Sequence, residues 1–296
     1  MESLPYLGET LSVSAALCWA VGVILFKKSG EWMPAMSLNM FKNLLAVALL
    51  TPTIPLLGGT LTPDNTLLDW GLLGISGFLG IALADTLFFM SLSRLGAGLT
   101  AVVDTSYMPI MLALSFVFLG ERVGLHVLFG AALIMGALLV GSLSRPEPGK
   151  RRVDIVAGVL IGISGIALMA ASIVMIKHVL VRSPMLWSTW VRLLAGVIGL
   201  VPLMLIDPRR RKLLAALRPG RHWRHAAPGA AVGTYLAMIA WIGGMKHTEV
   251  SRAALLNQLS TIFIFVLAVL FLREPLTRRR LLAIGLAVPG AFLVII

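Results

Sequence analysis

Ten mostly apolar runs, separated by short polar joints, constrain this chain more than any other feature. About 20 such residues let a helix cross the hydrocarbon core of a bilayer. Backbone groups in lipid find no water, and a helix satisfies them within a single segment. The runs lie at about 9–26, 35–57, 68–92, 96–119, 124–143, 154–176, 185–206, 226–245, 250–272 and 281–296. Charged residues make up only 13% of the chain, about half the share in a soluble domain. The fold class is therefore all-α integral membrane, with ten transmembrane helices and the lipid bilayer as a partner.

The runs repeat. Leu95–Leu143 and Thr248–Ile296 each read as an apolar run, an acidic corner and a second apolar run. The corners are Gly120-Glu121-Arg122 and Arg273-Glu274-Pro275, 153 residues apart. The same offset pairs Ala101 with Ala254, Leu114 with Leu267, Phe118 with Phe271 and Leu128 with Leu281. An offset of 150 pairs Lys27, Pro34 and Lys42 with Lys177, Pro184 and Arg192. This divides the chain into a first five-helix repeat (1–143), a polar linker (144–152) and a second repeat (153–296). Repeats of this kind face one cavity, and because one chain supplies both halves, a monomer suffices.

Loop charge sets an orientation. Eighteen of the 25 lysines and arginines follow odd-numbered spans, five follow even-numbered spans, and Lys42 and Arg192 lie inside spans. Positive residues favour the cytoplasmic side, which places both termini outside. Residues 1–8 hold no lysine or arginine, so no removable signal peptide is expected. The arginine-rich segment 207–225 suits anionic inner-leaflet lipid. Insertion already accounts for the net charge of +12, so nucleic acid is not an expected partner. Cys18 is the single cysteine, which excludes an internal disulfide framework.

The segment Ala101…Tyr107-x-Pro109…Gly120-Glu121…Gly130-Ala131…Gly136 resembles the EamA-type branch of the drug/metabolite transporter superfamily. The second repeat matches at Ala254, Glu274-Pro275 and Gly290, and departs at Ile262, where the first has Pro109. Length and layout are similar to bacterial YddG-type amino-acid exporters. The resemblance implies two inverted repeats around a central cavity in the bacterial inner membrane. It also implies outward movement of small organic solutes by alternating access. Many members carry a basic loop between spans two and three and have both termini inside. Here that loop has no lysine or arginine.

The intramembrane polar residues lead to a compatible place, because charge near the bilayer centre is expensive and normally faces a cavity or a partner. Lys42 and Arg192 hold equivalent positions, and Asp85 and Asp104 supply acids; Asp104 recurs as Asn257, followed by Gln258. Two cations and two acids suit a zwitterion. Equally, Lys42 and Asp85 pair with each other and Arg192 snorkels or bonds a carbonyl, while Asn257 and Gln258 serve as glue between helices. Trp19 and Tyr107 are the best aromatic candidates for a cavity wall. Trp32, Trp70, Trp187 and Trp223 fall near span ends, where an interfacial belt is the default. Pro109 and Pro289 kink their helices and are candidate gating hinges. Glu121 and Glu274 suit helix starts.

No motif for nucleotide hydrolysis, acyl transfer or a zinc site is present, and no cofactor or metal is expected. Protons, through Asp85 or Asp104, are the simplest coupling ion. The sequence thus reads as a secondary transporter of amino acids or related metabolites. Two alternatives are a cationic drug exporter and, in another class, a membrane-embedded lipid-modifying enzyme.

Overall fold

A computed structural model describes residues 6–119, 124–142, 152–247, 256–257 and 259–295. Glu121, Gln258 and residues 143–151 of the linker region lie outside the described residues. All regular structure among the described residues is helical. The first repeat contains α1 (Leu7–Ser29), α2 (Ala35–Leu56), α3 (Leu67–Leu95), α4 (Ala97–Asp104), α5 (Tyr107–Leu119) and α6 (Leu125–Ser142). The second contains α7 (Arg152–Met175), α8 (Lys177–Arg182), α9 (Met185–Ile206), α10 (Arg210–Ala215), α11 (223–247), α12 (Leu259–Leu272) and α13 (Arg278–Ile295). Five of these, α1, α3, α7, α9 and α11, are long and apolar enough to cross a membrane, and shorter apolar helices accompany them.

Local chemistry explains the boundaries. Proline stands just before α2 (Pro34) and just before α9 (Pro184), in extended conformation both times. A proline there gives up no helical hydrogen bond, because the first helical N–H groups have no partner. Thr66 and Asp69 form a capping box at the start of α3, and Asp69 also pairs with Arg182 of α8. The fourth span is not one helix. It breaks at Thr105-Ser106 into α4 and α5, where the ring of Pro109 would meet the carbonyl four residues back. By contrast, α13 runs through Pro289.

The long helix at the third span of each repeat carries a π-helical stretch, Phe78–Ala84 in α3 and Ala231–Leu236 in α11. These stretches begin 153 residues apart, on the repeat offset, and each contains a glycine at an equivalent position, Gly80 and Gly233. Each glycine lies against the first helix of the other repeat, Gly233 on Gly22 of α1 and Gly80 on Ser172 of α7. Gly22 and Ser172 are themselves equivalent, at offset 150. The two crossings thus hold equivalent places in the two repeats, backbone on backbone in one and backbone on side chain in the other. The expected stripe of small residues on α3 is only half used: Gly77 and Gly80 abut the second repeat, while Gly71 and Gly74 face open space.

Helix directions follow from the contacts. Phe26 and Lys27, at the end of α1, meet Phe89 and the Leu92 and Ser93 carbonyls near the end of α3, so these two helices run the same way. Gly229, Gly233 and Gly244 of α11 meet Phe26, Gly22 and Ser12 in turn, so α11 runs opposite to α1. The equivalent helices α3 and α11 therefore point in opposite directions. The helices α6 and α13 pack together along their lengths and close the bundle.

One corner differs from the sequence reading. Glu274 does not serve its own helix, α13. Its carboxylate accepts the N–H groups of Ala97 (2.6 Å) and Gly98 (3.2 Å) at the start of α4, in the other repeat, and the buried Arg280 holds it there at 3.2 Å. A carboxylate on a helix N-terminus meets both free donors and the positive end of the helix dipole. Gly96 makes the approach feasible: its φ is +83°, and a β-carbon there would come within 2.6 Å of Glu274 Oε1. The polar segment after α9 also holds structure. Leu213 of α10 is buried against Met40 and Met204, and its carbonyl accepts from Ser37. Among the tryptophans, Trp187 is fully buried, stacked edge-on against Trp70, and donates to the Leu61 carbonyl at 3.0 Å.

Candidate functional site

On α2, Asn39, Lys42 and Asn43 are three and four residues apart and fall on one buried face. The Lys42 ammonium donates to Asp85 Oδ2 (2.7 Å) and to Asn43 Oδ1 (2.9 Å). Asn43 donates to Asn39 Oδ1 (2.7 Å), and Asn39 donates to the carbonyls of Ile81 (2.7 Å) and Ala82 (3.2 Å) and to Thr86 Oγ1 (3.0 Å). Ile81 and Ala82 belong to the π-helical stretch of α3. Departure from α-helical pairing frees carbonyls there, and the amide of Asn39 occupies them. The lysine is thus one end of a polar relay anchored on an irregular helix. The ion pair is 7% and 18% exposed at its two side chains, so each partner depends on the other to offset its desolvation.

Arg192 on α9 is equivalent to Lys42, but its surroundings differ. Its Nη2 donates to Ser172 Oγ (3.3 Å) and lies 4.0 Å from Met169 Sδ. Its Nε is buried without a hydrogen-bond partner among the described residues. Where Asp85 faces Lys42, the equivalent residue at offset 153 is Met238. Asn39 and Asn43 are likewise matched by Thr189 and Leu193. Among the described residues, the second repeat shows no counterpart of the relay that neutralises Lys42.

These residues meet in one cavity of about 380 Å³, within the roughly 300–1,000 Å³ of small-molecule sites. Trp19, Lys42, Asp85 and Tyr107 line it from the first repeat, and Arg192 and Asn257 from the second. Asp104 does not line it. In an unbroken helix Asp104 and Tyr107 would share a face, being three residues apart. The break at Thr105-Ser106 removes that register, and only Tyr107 reaches the wall. Sequence reasoning did not single out Met169, Met185, Thr189, Thr234 or Met238, all of which contribute to the wall. Their cue is the offset itself: Thr189 and Met238 answer to Asn39 and Asp85, and Thr234 follows Gly233. Trp241 lines the cavity, whereas Trp190 and Tyr235 tie α9 and α11 to Thr51 and Thr53 of α2. Among the described residues no group of three or more histidines, cysteines or acids is placed to hold a metal.

Comparison with known proteins agrees with this architecture. A solved crystal structure superposes with a TM-score of 0.69 over 97% of this chain and 94% of its own, at 17% identity, which establishes a shared fold. An uncharacterised transporter of Archaeoglobus fulgidus is 27% identical over 131 residues. That match covers 44% of this chain, and this chain spans 46% of the relative's length. The sequence profile of the EamA-like transporter family matches twice, over residues 6–143 and 156–296. With both halves of the chain matched, this protein belongs to the EamA-like transporter family.

Proposed function

We propose that this protein is a secondary carrier that exports amino acids or related small metabolites across a bacterial inner membrane by alternating access. The reading takes the chain as ten spans in two inverted halves, 1–143 and 153–296, joined by the linker 144–152. The opposed directions of α3 and α11 support the inversion. One observation carries the reading: helices from both halves converge on a single cavity that holds intramembrane charges, Lys42, Asp85 and Arg192. Such charges are costly away from water and normally mark a solute path. With Asp85 engaged by Lys42, Asp104 is the simpler proton carrier, since no ion pair to it is formed among the described residues. A cationic drug is the weaker fit, because it would meet the guanidinium of Arg192.

Counterflow in proteoliposomes tests the carrier reading. Vesicles loaded with unlabelled amino acids should exchange labelled ones from outside, saturably. Flux that neither saturates nor shows exchange would indicate a pore. No exchange across the panel would sink the amino-acid reading.

Orientation has its own test. The last turns of α1 and α3 and the segment after α9 hold Lys27, Lys28, Arg94 and Arg209–Lys212 at one end of the bundle. We take that end as cytoplasmic and both termini as periplasmic. In a Cys18→Ser background, Gly59→Cys should label only from outside and Ala216→Cys only from inside. The reverse pattern would overturn this orientation.

A further inference from the structure

The two repeats furnish the cavity unequally, and the inequality points to the chemistry of the solute. Lys42 is neutralised within its own repeat by Asp85 at 2.7 Å and saturated further by Asn43. Arg192, its equivalent, forms no ion pair with a carboxylate among the described residues. Four buried side-chain polar atoms lack a hydrogen-bond partner among the described residues, and two of them, Arg192 Nε and Thr234 Oγ1, belong to residues of this cavity wall. Leaving such groups unsatisfied in the interior is costly, and more so for a charged one. A guanidinium presents its donors in a planar fork that matches a carboxylate.

We propose that Arg192 is the anion anchor of the cavity, that the transported solute carries a carboxylate, and that the Lys42–Asp85 pair is internal scaffolding with no solute-binding role. The proposal rests on the carrier reading above for the word transported, but the binding site stands or falls separately. Gly80 is part of the construction. A β-carbon at that position would come within 3.0 Å of Arg192 Nη2 and 2.4 Å of Ser172 Oγ, so the absence of a side chain there leaves room for the guanidinium and its hydroxyl support. Thioethers from Met169 and Met238 border the same space. They are adaptable apolar contacts and suit a solute whose remainder is apolar.

Binding is read without transport, from the shift in unfolding temperature and from titration of the purified protein. Four probes share one apolar body: L-leucine, 4-methylpentanoate, L-leucinamide and isopentylamine. The two carboxylates should bind and the two amines without a carboxylate should not. Arg192→Gln should weaken carboxylate binding by about ten- to a hundred-fold, the loss of a charge-assisted contact. Met238→Asp, which gives Arg192 the counter-ion that Lys42 already has, should weaken it to a similar degree. The double variant Arg192→Gln/Met238→Asp should reverse the preference toward isopentylamine, a gain that misfolding does not produce. Amines binding as well as carboxylates, or neither carboxylate binding, would overturn the proposal. Carboxylate binding without counterflow would uphold the site and remove the carrier reading instead.

Discussion

Lys42→Met should lower the stability of the folded protein by about 3–5 kcal/mol, the cost of leaving a buried carboxylate without its partner. The double variant Lys42→Met/Asp85→Leu should recover most of that loss. The argument turns on which term dominates. The pair itself offers little net stabilisation, because desolvating two charges roughly offsets their attraction. Removing one partner strands Asp85, whose side chain is 18% exposed, beside an apolar replacement. It also strands Asn43 Oδ1 at the cavity end of the relay. Removing both charges leaves only the smaller loss of the Asn43 contact. Thermal unfolding in detergent, on both single variants and the double, gives the coupling between the residues. A coupling of about 2 kcal/mol or more is expected, the upper range for groups in one network. A single variant within 1 kcal/mol of the parent, or a double as unstable as the single, would show that the pair is not an isolated buried unit.

Much of this architecture was legible in the sequence, for a physical reason. Lipid forces each spanning segment to carry its own apolar run and to close its own hydrogen bonds, so the runs are visible without knowing what they touch. The offsets that match Lys42 to Arg192 and Glu121 to Glu274 come from the same source, since a repeated fold repeats its constraints. What was not legible depends on register between helices. Nothing in the hydropathy of Phe78–Ala84 separates a π-helical turn from an α-helical one. The target of Glu274 lies 177 residues away, at Ala97, and near-neighbour reasoning assigns such a carboxylate to the helix that follows it. The sequence marks Lys42 and Asp85 as a potential pair, but choosing between pairing and an open site needs the distance across α2 and α3. Position near a span end points Trp187 to the membrane interface. Its indole instead lies in the interior, because the 57–66 loop folds back and offers the carbonyl of Leu61.

The repeat-equivalent glycines of α3 and α11 should respond very differently to the same substitution. Gly233→Ala should destabilise by about 2–3 kcal/mol, in the upper range for overpacking, whereas Gly80→Ala should be close to neutral. A β-carbon on Gly233 would stand 2.4 Å from the α-carbon of Gly22, and one on Gly22 would stand 2.4 Å from the α-carbon of Gly233. Carbon atoms rest about 3.5–4.0 Å apart, so two helix backbones would have to separate by about 1 Å or more, along a contact that spans most of α1. No rotamer change relieves a backbone collision. At Gly80 the nearest obstacles are the Ser172 hydroxyl at 2.4 Å and the Arg192 guanidinium at 3.0 Å, both side-chain ends that can turn, and the fixed Ser172 β-carbon stands farther off at 3.2 Å. Alanine also gains about 1 kcal/mol over glycine in a helix interior, enough to offset the adjustment at Gly80 but not the collision at Gly233. Since Gly22 and Gly233 form one of the crossings at which the two repeats bear on each other, the proposed alternating access should need that contact intact. Counterflow in Gly233→Ala should therefore fall by more than the loss of folded protein explains. Gly80→Ala, by displacing the Arg192 support, should alter affinity before it alters stability. Equal destabilisation by the two alanines would mean that the reciprocal crossings are mechanically alike, and the asymmetry argued from backbone against side chain would be wrong.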